Sequence, residues 1–369
     1  MQKALTALLL WGLGPEASAA LEAHGCSERS GKDYHLKWRA QGRSFFDGFE
    51  FLTRDENHGA VEYLDRSAAR AAGVAQAHPT HAIVGLGASL GNFKRQSAKI
   101  ATRQTWKYFL AAVRYTKMPH GCGIWPAVWT HAPSAGWPDG GELDLLEYVN
   151  DLPSRVSFHT GHSNRCRLDA ALLYKRGCTP MPDLNEMGYD CVTAYPDRLG
   201  CAPNKVPVWP GALWSQRHGV LAVEWTEGFV KVFRIPEGEI PEDLQADAPR
   251  PDSWGRWLIA YFPFAASERR SPGSCPDPAN VMAPQQLVFN IGLCGDWASK
   301  VWKDSHSCVN VVGPRYPEQC RSTDPLRERS DPETDCCTQF VSDPEGRYGA
   351  EQYFARQGYF NITSVKVYQ

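Results

Sequence analysis

Short stretches in which apolar and polar residues alternate are the main pattern along this chain of 369 residues. A period of two is typical of strands that bury one face. Clusters of Gly, Pro, Asn and Asp separate the stretches, and amphipathic helical patterns are few. The pattern therefore predicts an all-β protein, an antiparallel two-sheet sandwich. The predicted strands are His58 to Leu64, Phe109 to Tyr115, Arg155 to Thr160, Val220 to Trp225, Phe229 to Ile235, Gln286 to Ile291 and Ile362 to Tyr368.

Two further segments depart from this alternation. Helix is favoured between Arg66 and Ala77, where alanines dominate, although Gly73 interrupts the segment. The stretch from Arg321 to Gly349 is charged, contains three prolines and lacks periodicity, so we predict a long surface insertion there. The apolar segment Tyr359 to Tyr368 follows it, which indicates that the chain returns to the same core.

The first 19 residues resemble a cleavable secretory signal, with Lys3, an apolar run from Ala4 to Leu13, and a small-residue exit at Ala17 to Ala19. A buried N-terminal helix is the alternative. It is disfavoured because two glycines and a proline between positions 12 and 15 would end such a helix early. We therefore expect a secreted protein with one domain over residues 20–369, and no other apolar run is long enough to span a membrane.

Twelve cysteines, an even number, agree with an oxidising compartment and several disulfides. Spacing does not determine their connectivity. The adjacent Cys336 and Cys337 should bond to separate partners, because neighbouring residues rarely meet disulfide geometry. Two pairs would each close a modest loop: Cys191 with Cys201, and Cys275 with Cys294.

The formal net charge is −2 with both signs interspersed, which disfavours a nucleic-acid or anionic-membrane partner. A neutral ligand fits better. We expect a monomer that requires no cofactor and no metal.

Three acidic residues lie close together in GGELDLLEYVND, residues 140–151. On a regular strand Glu142 and Asp144 share one face, and Glu147 points to the other. A β-bulge, one extra residue at Leu145 and Leu146, would bring Glu147 onto the face of the other two acids. The segment fits an amphipathic helix equally well, with leucines on one side and acids on the other.

Two long carboxylic acids flanking a shorter one, just downstream of several tryptophans, are what cleavage of a glycosidic bond in a sugar polymer requires. One glutamate must be ionised to attack the anomeric carbon, and the other must keep a proton for the leaving oxygen. Crowded negative charge raises the pKa of at least one member of such a set. Solvated acids on an edge strand are the alternative, and a calcium site is weaker because the nearby leucines supply no oxygen ligands.

Five sequence blocks, in this order, resemble glycoside hydrolase family 16, and the resemblance covers nearly the whole chain after the N-terminal segment. The fungal-type laminarinases are the most similar group. The blocks are Gly121 to Trp129 (GCGIWPAVW), Trp137 to Asp151 (WPDGGELDLLEYVND), Ser157 to Gly161 (SFHTG), Cys294 to Ala298 (CGDWA) and the terminal SVKVYQ.

The resemblance implies a β-jelly-roll with a concave glucan cleft and a retaining, endo-acting β-1,3(4)-glucanase. By motif position Glu142 corresponds to the nucleophile, Asp144 to the assisting acid and Glu147 to the general acid/base. The tryptophan Trp125, which precedes Pro126, is expected in the core. The resemblance implies substrate-binding roles for His159 beside the leaving group, for Trp129, Trp137 and Trp297 as stacking platforms, and for Arg95 as a hydrogen-bond donor to glucan hydroxyls.

Other functions on the same scaffold stay open. A transglycosylase would use a sugar hydroxyl in place of water, and the acids alone do not separate the two reactions. A non-catalytic β-glucan-binding lectin is disfavoured, because such relatives typically lose one or both glutamates, whereas Glu142 and Glu147 are both present. In each case the expected partner is a β-glucan polysaccharide or oligosaccharide.

Overall fold

The fold is an antiparallel two-sheet sandwich of the jelly-roll type. The computed structural model describes residues 29–168, 189–193, 199–202, 209–264, 275–312, 320, 331 and 333–369. The N-terminal segment 1–19, which we predict to be a signal, lies outside these residues. Each of the strands predicted from alternation overlaps an observed strand.

The larger sheet has eight strands, and all of its pairings are antiparallel. From one edge it runs β14 (Leu258–Pro263), β13 (Phe229–Pro236), β12 (Gly219–Trp225), β8 (Leu110–Lys117), β16 (Tyr359–Tyr368), β5 (Ala82–Gly85) and β4 (Ala75–Ala77), and β1 (Leu36–Gln41) also pairs with β16.

The second sheet has six antiparallel strands and carries the acidic segment. Its order is β11 (Arg155–His159), β10 (Glu142–Glu147), β9 (Ile124–His131), β15 (Gln286–Leu293), β7 (Lys99–Thr102) and β2 (Phe49–Phe51). A short parallel pair, β3 (Val61–Tyr63) with β6 (Arg95–Ser97), forms a third, two-stranded sheet.

Aromatic side chains join the two sheets into one core. Phe289 on β15 contacts Phe360 on β16 with ring centroids 6.3 Å apart, and Phe158 on β11 contacts Phe262 on β14 at 5.7 Å. All four side chains are fully buried. Packing the inner face of each sheet against the other leaves the second face of the six-stranded sheet free to build a site.

Helices are short and sit outside the sheets. The expected helix at Arg66 is confirmed, but it ends at Ala71, before Gly73, and residues 75–77 form strand β4 instead. Its N-terminus is capped by Asp65, whose Oδ1 accepts a 2.9 Å hydrogen bond from the Ala68 amide. The α-helices in the described residues are α1 (Arg66–Ala71), α2 (Gly211–Gln216), α3 (Glu242–Gln245), α4 (Gly295–Ala298), α5 (His306–Val312), α6 (Cys336–Ser342) and α7 (Ala350–Gln357). The 3-10 helices are Gly42–Gly48, Glu237–Glu239, Pro251–Ser253, Gly255–Trp257, Pro278–Asn280 and Trp302–Asp304.

Part of the segment that we predict to be a surface insertion packs into the protein. Residues 321–330 and 332 lie outside the described residues, but helix α6 falls inside the segment and is buried along nearly its whole length. Its Phe340 ring lies 6.0 Å from that of Trp302. A seven-residue helix that is buried on almost every side shows no amphipathic period, so alternation of polarity gave no sign of it.

Disulfides connect distant parts of the described chain. The predicted bond between Cys191 and Cys201 is confirmed. The suggested pair Cys275 with Cys294 is wrong, because the fold carries each of them to a partner far away in sequence. The two adjacent cysteines do bond to separate partners. The bonds are Cys122–Cys308, Cys166–Cys275, Cys191–Cys201, Cys294–Cys337 and Cys320–Cys336. Among the described helices, none has the length and apolar character needed to cross a bilayer.

Candidate active site

The acidic segment is a strand with a bulge at the double leucine. On β10, Asp144 pairs with Trp129 of β9. Leu146, two residues further along β10, pairs with Val128, which is only one residue away from Trp129 on β9. One residue of β10, Leu145, is therefore extra, and the phase of the strand is corrected before Glu147. The bulge hypothesis is confirmed, and the helical alternative is wrong.

The bulge places the acids and the leucines of β10 on opposite faces of the sheet. Leu143, Leu145 and Leu146 are all buried in the core between the sheets. Strand residues that pair directly lie on the same face of a sheet. Glu147 pairs with Ala127, as Asp144 does with Trp129, so both acids lie on the face that points away from the core. We call this face of the six-stranded sheet the open face.

Several polar side chains on the open face are almost inaccessible to solvent. Asp144, His159, Lys99 and Asn290 are all buried, although none of them points into the core between the sheets. The open face is therefore the floor of a recess, which we call the cleft. Its walls include Trp137, a large apolar side chain that is 51% exposed.

Asp144 is held from the neighbouring strand β11. Ser157 donates a 2.7 Å hydrogen bond to Asp144 Oδ2, and His159 Nε2 lies 3.0 Å from the same oxygen. On the other side of its ring, His159 Nδ1 lies 3.0 Å from Thr193 Oγ1. Asp144 thus has a fixed position between the two glutamates.

Glu142 and Glu147 carry perturbed acidities. Burial, followed by the nearby charges of Asp144 and Glu147, raises the pKa of Glu142 well above its usual range, against a hydrogen bond from Trp137. Burial and Asp144 raise the pKa of Glu147 to about 8. A hydrogen bond from Trp125 and the charges of His159 and Arg155 oppose that rise. Glu142 and Glu147 therefore both bind protons more tightly than free carboxyls do, and the titration of each depends on the charge of its neighbours.

Trp125 lies in the cleft and not in the core as expected. Its Nε1 donates a 2.7 Å hydrogen bond to Glu147 Oε1. Its ring meets that of Trp297, on α4, edge to face at 5.7 Å. Arg155 lies over the Trp297 ring at 5.5 Å. The expectation failed because Pro126 does not interrupt β9: it lies one residue beyond the last pair of β9 with β10, so Trp125 keeps the outward direction of the strand.

A second group of cleft residues lies across the sheet from the acids. Trp129 Nε1 donates to Asn290 Oδ1 at 2.7 Å, and Asn290 Nδ2 donates to the Tyr63 hydroxyl at 3.2 Å. Lys99 pairs with Glu56 at 2.5 Å and lies over the Tyr63 ring at 4.9 Å. Alternation places Lys99 in register with Asn290 on the open face. Sequence reasoning missed Lys99, because this register depends on pairing between distant strands.

Arg95 does not reach the open face. It lies on β6, outside the six-stranded sheet, and is 1% exposed. Its Nε donates to the Val341 carbonyl at 3.0 Å, its Nη1 to the Gly87 carbonyl at 2.8 Å and its Nη2 to Glu351 at 2.8 Å. With its guanidinium occupied in this way, Arg95 holds helices α6 and α7 against the sandwich, which corrects the expectation of a glucan contact.

Two other residues predicted from sequence, Trp137 and Trp297, lie beside the acids. Trp137 lies next to His159, with ring centroids 6.5 Å apart, on the side of Glu142 and Asp144. Trp297 flanks Glu147 through Trp125. Sequence reasoning missed Ser157 and Thr193, whose roles depend on pairing between strands.

Two groups in the described residues bring potential metal-donor atoms within 4.8 Å of one another. One contains Cys294 and Cys337, which are bonded to each other and so offer no thiolate. The other is Glu142, Asp144 and His159. Within it, Asp144 Oδ2 already contacts His159 and Ser157, an arrangement suited to proton sharing.

Chemically, the cleft places two carboxyls with raised pKa values on one face, so that loss of one proton leaves a carboxylate beside a carboxylic acid. Tryptophan faces surround both acids, and such faces stack on sugar rings. Proton donation to a leaving oxygen, together with attack by a carboxylate on an anomeric carbon, needs this set of groups.

Comparison with known proteins identifies relatives of the whole fold. The XgeA-like catalytic domain of glycoside hydrolase family 16 matches residues 49–368. A probable glycosidase of Schizosaccharomyces pombe is 30% identical over 290 residues, which cover 76% of this chain and 65% of that protein. The endo-1,3(4)-β-glucanase xgeA of Emericella nidulans is 27% identical over 375 residues, or 99% of this chain and 52% of that protein. The chain thus spans about half to two thirds of the length of these curated relatives.

Solved structures have the same fold. Laminarinase 16A of Phanerochaete chrysosporium, with 6-O-glucosyl-laminaritriose in its donor and acceptor sites, is 25% identical with a TM-score of 0.68, covering 92% of this chain and 100% of that chain. A mutant of laminarinase 16A that cyclizes laminariheptaose is 26% identical with the same TM-score and coverage.

Proposed function

The chain belongs to glycoside hydrolase family 16, in its XgeA-like group, and on that premise we propose a retaining, endo-acting hydrolase of β-1,3 or mixed β-1,3/1,4-glucans. The observation that carries the proposal is the bulge that brings Glu142, Asp144 and Glu147 onto one face of β10. The relatives named as endo-1,3(4)-β-glucanases support the substrate class.

In the first displacement, the Glu142 carboxylate attacks the anomeric carbon of the glucose unit in the cleft. Glu147 donates its proton to the glycosidic oxygen, so the bond to the leaving sugar breaks as the ester to Glu142 forms. Asp144, held by Ser157 and His159, places a third acidic group beside both reacting carboxyls. Because its pKa is raised, Glu147 holds the proton that this step consumes.

In the second displacement, the Glu147 carboxylate takes a proton from a water molecule whose oxygen attacks the anomeric carbon. The ester bond to Glu142 breaks, and the product keeps the β configuration. A sugar hydroxyl in place of water would give transglycosylation by the same steps. The disulfides of the described chain and the predicted signal at residues 1–19 support secretion.

The test is product analysis on laminarin and on mixed-linkage glucan, with anomeric configuration followed by proton NMR during the reaction. We expect β-configured oligosaccharides of intermediate length from at least one of the two polymers. Initial α products would contradict the retaining mechanism, and products longer than the substrate would indicate transfer. Binding of both glucans without any cleavage would favour a lectin.

The hydrogen bond from Trp125 to Glu147 predicts a shift of the pH profile. Activity should be bell-shaped, with an alkaline limb near the Glu147 pKa of about 8, because the acid must hold a proton in the free enzyme. Trp125→Phe removes a donor that stabilises the carboxylate, so the pKa of Glu147 rises and the alkaline limb should move up by about one pH unit. The measurement is kcat/KM against pH for both proteins. A limb that stays in place would show that the indole does not act on Glu147.

Trp129 supplies a prediction about binding alone. Its indole is anchored by Asn290 and is half-buried in the cleft. Trp129→Ala should weaken the dissociation constant for a laminari-oligosaccharide by roughly 10-fold or more, as expected when an aromatic face that stacks on the ligand is lost. Calorimetry on an inactive Glu142→Gln background measures this without turnover. Trp257→Ala, a half-buried tryptophan hydrogen-bonded to Glu239 and outside the cleft, is the matched control.

A further inference from the structure

The ring of His159 is enclosed by two short stretches from later in the chain, residues 191–193 and 199–202. The first pairs with the end of β11, because the Thr160 amide donates to the Cys191 carbonyl at 2.8 Å and the Thr193 amide donates to the Thr160 carbonyl at 2.8 Å. The second pairs through Cys201, which exchanges two backbone hydrogen bonds with Phe158 at 2.9 and 3.0 Å. The disulfide between Cys191 and Cys201 joins the two stretches.

Gly200 closes over the histidine ring. Its φ is +63°, a left-handed conformation that favours glycine. A Cβ at this position would lie 2.7 Å from His159 Nδ1 and 2.4 Å from the Phe158 carbonyl oxygen, closer than side chains tolerate. The backbone of Gly200 therefore packs directly against the ring and prevents it from rotating away from β10.

Thr193 contacts the ring nitrogen of His159 that points away from Asp144. Its hydroxyl donates to the Cys191 carbonyl at 3.4 Å and lies 3.0 Å from His159 Nδ1. The other nitrogen, Nε2, faces Asp144 Oδ2 at 3.0 Å, so the ring lies between the Thr193 hydroxyl and the Asp144 carboxyl.

We propose that Thr193 and Gly200 are positioning residues that hold the His159 ring against Asp144, and that the Cys191–Cys201 disulfide keeps both in place. The inference rests on the proposed glucan hydrolysis, to which it adds a device that sets the hydrogen-bonding state of the middle acid. The charged groups around the ring are Asp144, at hydrogen-bond distance, Glu142, whose carboxylate lies within 4.8 Å of the ring nitrogen, and Glu147, which interacts with it electrostatically.

The test compares Thr193→Val, which keeps the shape and removes the hydroxyl, with Thr193→Ser, which keeps the hydroxyl. We expect Thr193→Val to lower kcat on glucan by about 5- to 30-fold, the effect of one lost hydrogen bond in the reacting network, with KM changed by less than about twofold. Thr193→Ser should restore kcat.

A second readout needs no substrate. In protein labelled with 15N at histidine, with His159→Gln used for assignment, Thr193→Val should change the ring nitrogen shifts of His159. A double Cys191→Ala, Cys201→Ala variant should change them in the same direction. If Thr193→Val does not fold, as judged by its unfolding temperature, Thr193→Ala takes its place.

The outcomes separate the two proposals. Wild-type protein that cleaves no glucan overturns the proposed function, while the nitrogen shifts still test Thr193. Active wild type with unchanged kcat and unchanged nitrogen shifts in Thr193→Val overturns the positioning role. Equal losses in Thr193→Val and Thr193→Ser also overturn it, because the hydroxyl would then not be the group responsible.

Discussion

Glu142→Gln will remove glucan cleavage, lowering kcat by about 10⁴-fold or more, the scale seen when a covalent nucleophile is lost. Glutamine has the same shape as glutamate but cannot form the ester with the anomeric carbon at a useful rate. The variant should still bind laminari-oligosaccharides, because the tryptophans of the cleft are unchanged. Reducing-sugar release from laminarin measures the first effect, and calorimetry measures the second.

Stability should not fall in this variant. Burial and two neighbouring acids raise the pKa of Glu142, so its charged form is disfavoured in the folded protein. The neutral amide of glutamine carries no charge and avoids this cost. Glu239→Gln is the matched control, an exposed glutamate on a 3-10 helix outside the cleft, and should leave activity unchanged. Full activity of Glu142→Gln in a clean preparation would remove it as the nucleophile.

Glu147→Gln will produce a loss that depends on the leaving group. On natural glucan we expect kcat/KM to fall by roughly 10²- to 10⁴-fold, because the departing sugar oxygen no longer receives a proton. On an aryl β-glucoside with an acidic phenol the first displacement needs little protonation, so this step should be far less affected. Parallel assays on the two substrates measure the difference. Equal losses on both would show that Glu147 is not the proton donor.

The same variant tests the raised pKa of Glu147 through stability. A carboxyl whose pKa is raised to about 8 on folding holds its proton more tightly in the folded than in the unfolded chain. The folded protein therefore loses stability as pH rises from the unfolded pKa of about 4.3 through about 8. Glu147→Gln stays neutral, so its unfolding temperature should exceed that of wild type at pH 9 and approach it at pH 4. A constant difference across this range would contradict the raised pKa.

The sheets were predictable from local rules, but the pattern of the acidic segment fitted a strand and a helix equally well, and the family resemblance favoured the strand. A period of two identified the strands, and the double leucine between Asp144 and Glu147 indicated where the phase had to change. Both are properties of neighbouring residues on one strand, which the sequence displays directly. The buried helix α6 was not predictable, because a segment enclosed on almost every side has no polar face to mark it.

The supporting residues were harder to predict because they depend on contacts between distant segments. Arg95 and Lys99 are four residues apart and equally basic, yet only Lys99 lies on the open face. The chain leaves one sheet and enters another between them, and no local pattern marks that change. Thr193 reaches His159 only because backbone pairing carries it beside β11. A motif match indicates which family residue a position corresponds to, but it does not show which sheet carries that position.

The bulge at Leu145 has a consequence for sequence comparison. Three acids at alternate positions of a regular strand would share one face without any bulge. A homologue that lacks one of the two leucines could therefore carry an equivalent constellation, its last glutamate one position earlier. An alignment that forbids a gap here would set that glutamate opposite a leucine and report the acid as missing. Functional inference for divergent homologues should thus allow a single-residue deletion at this point.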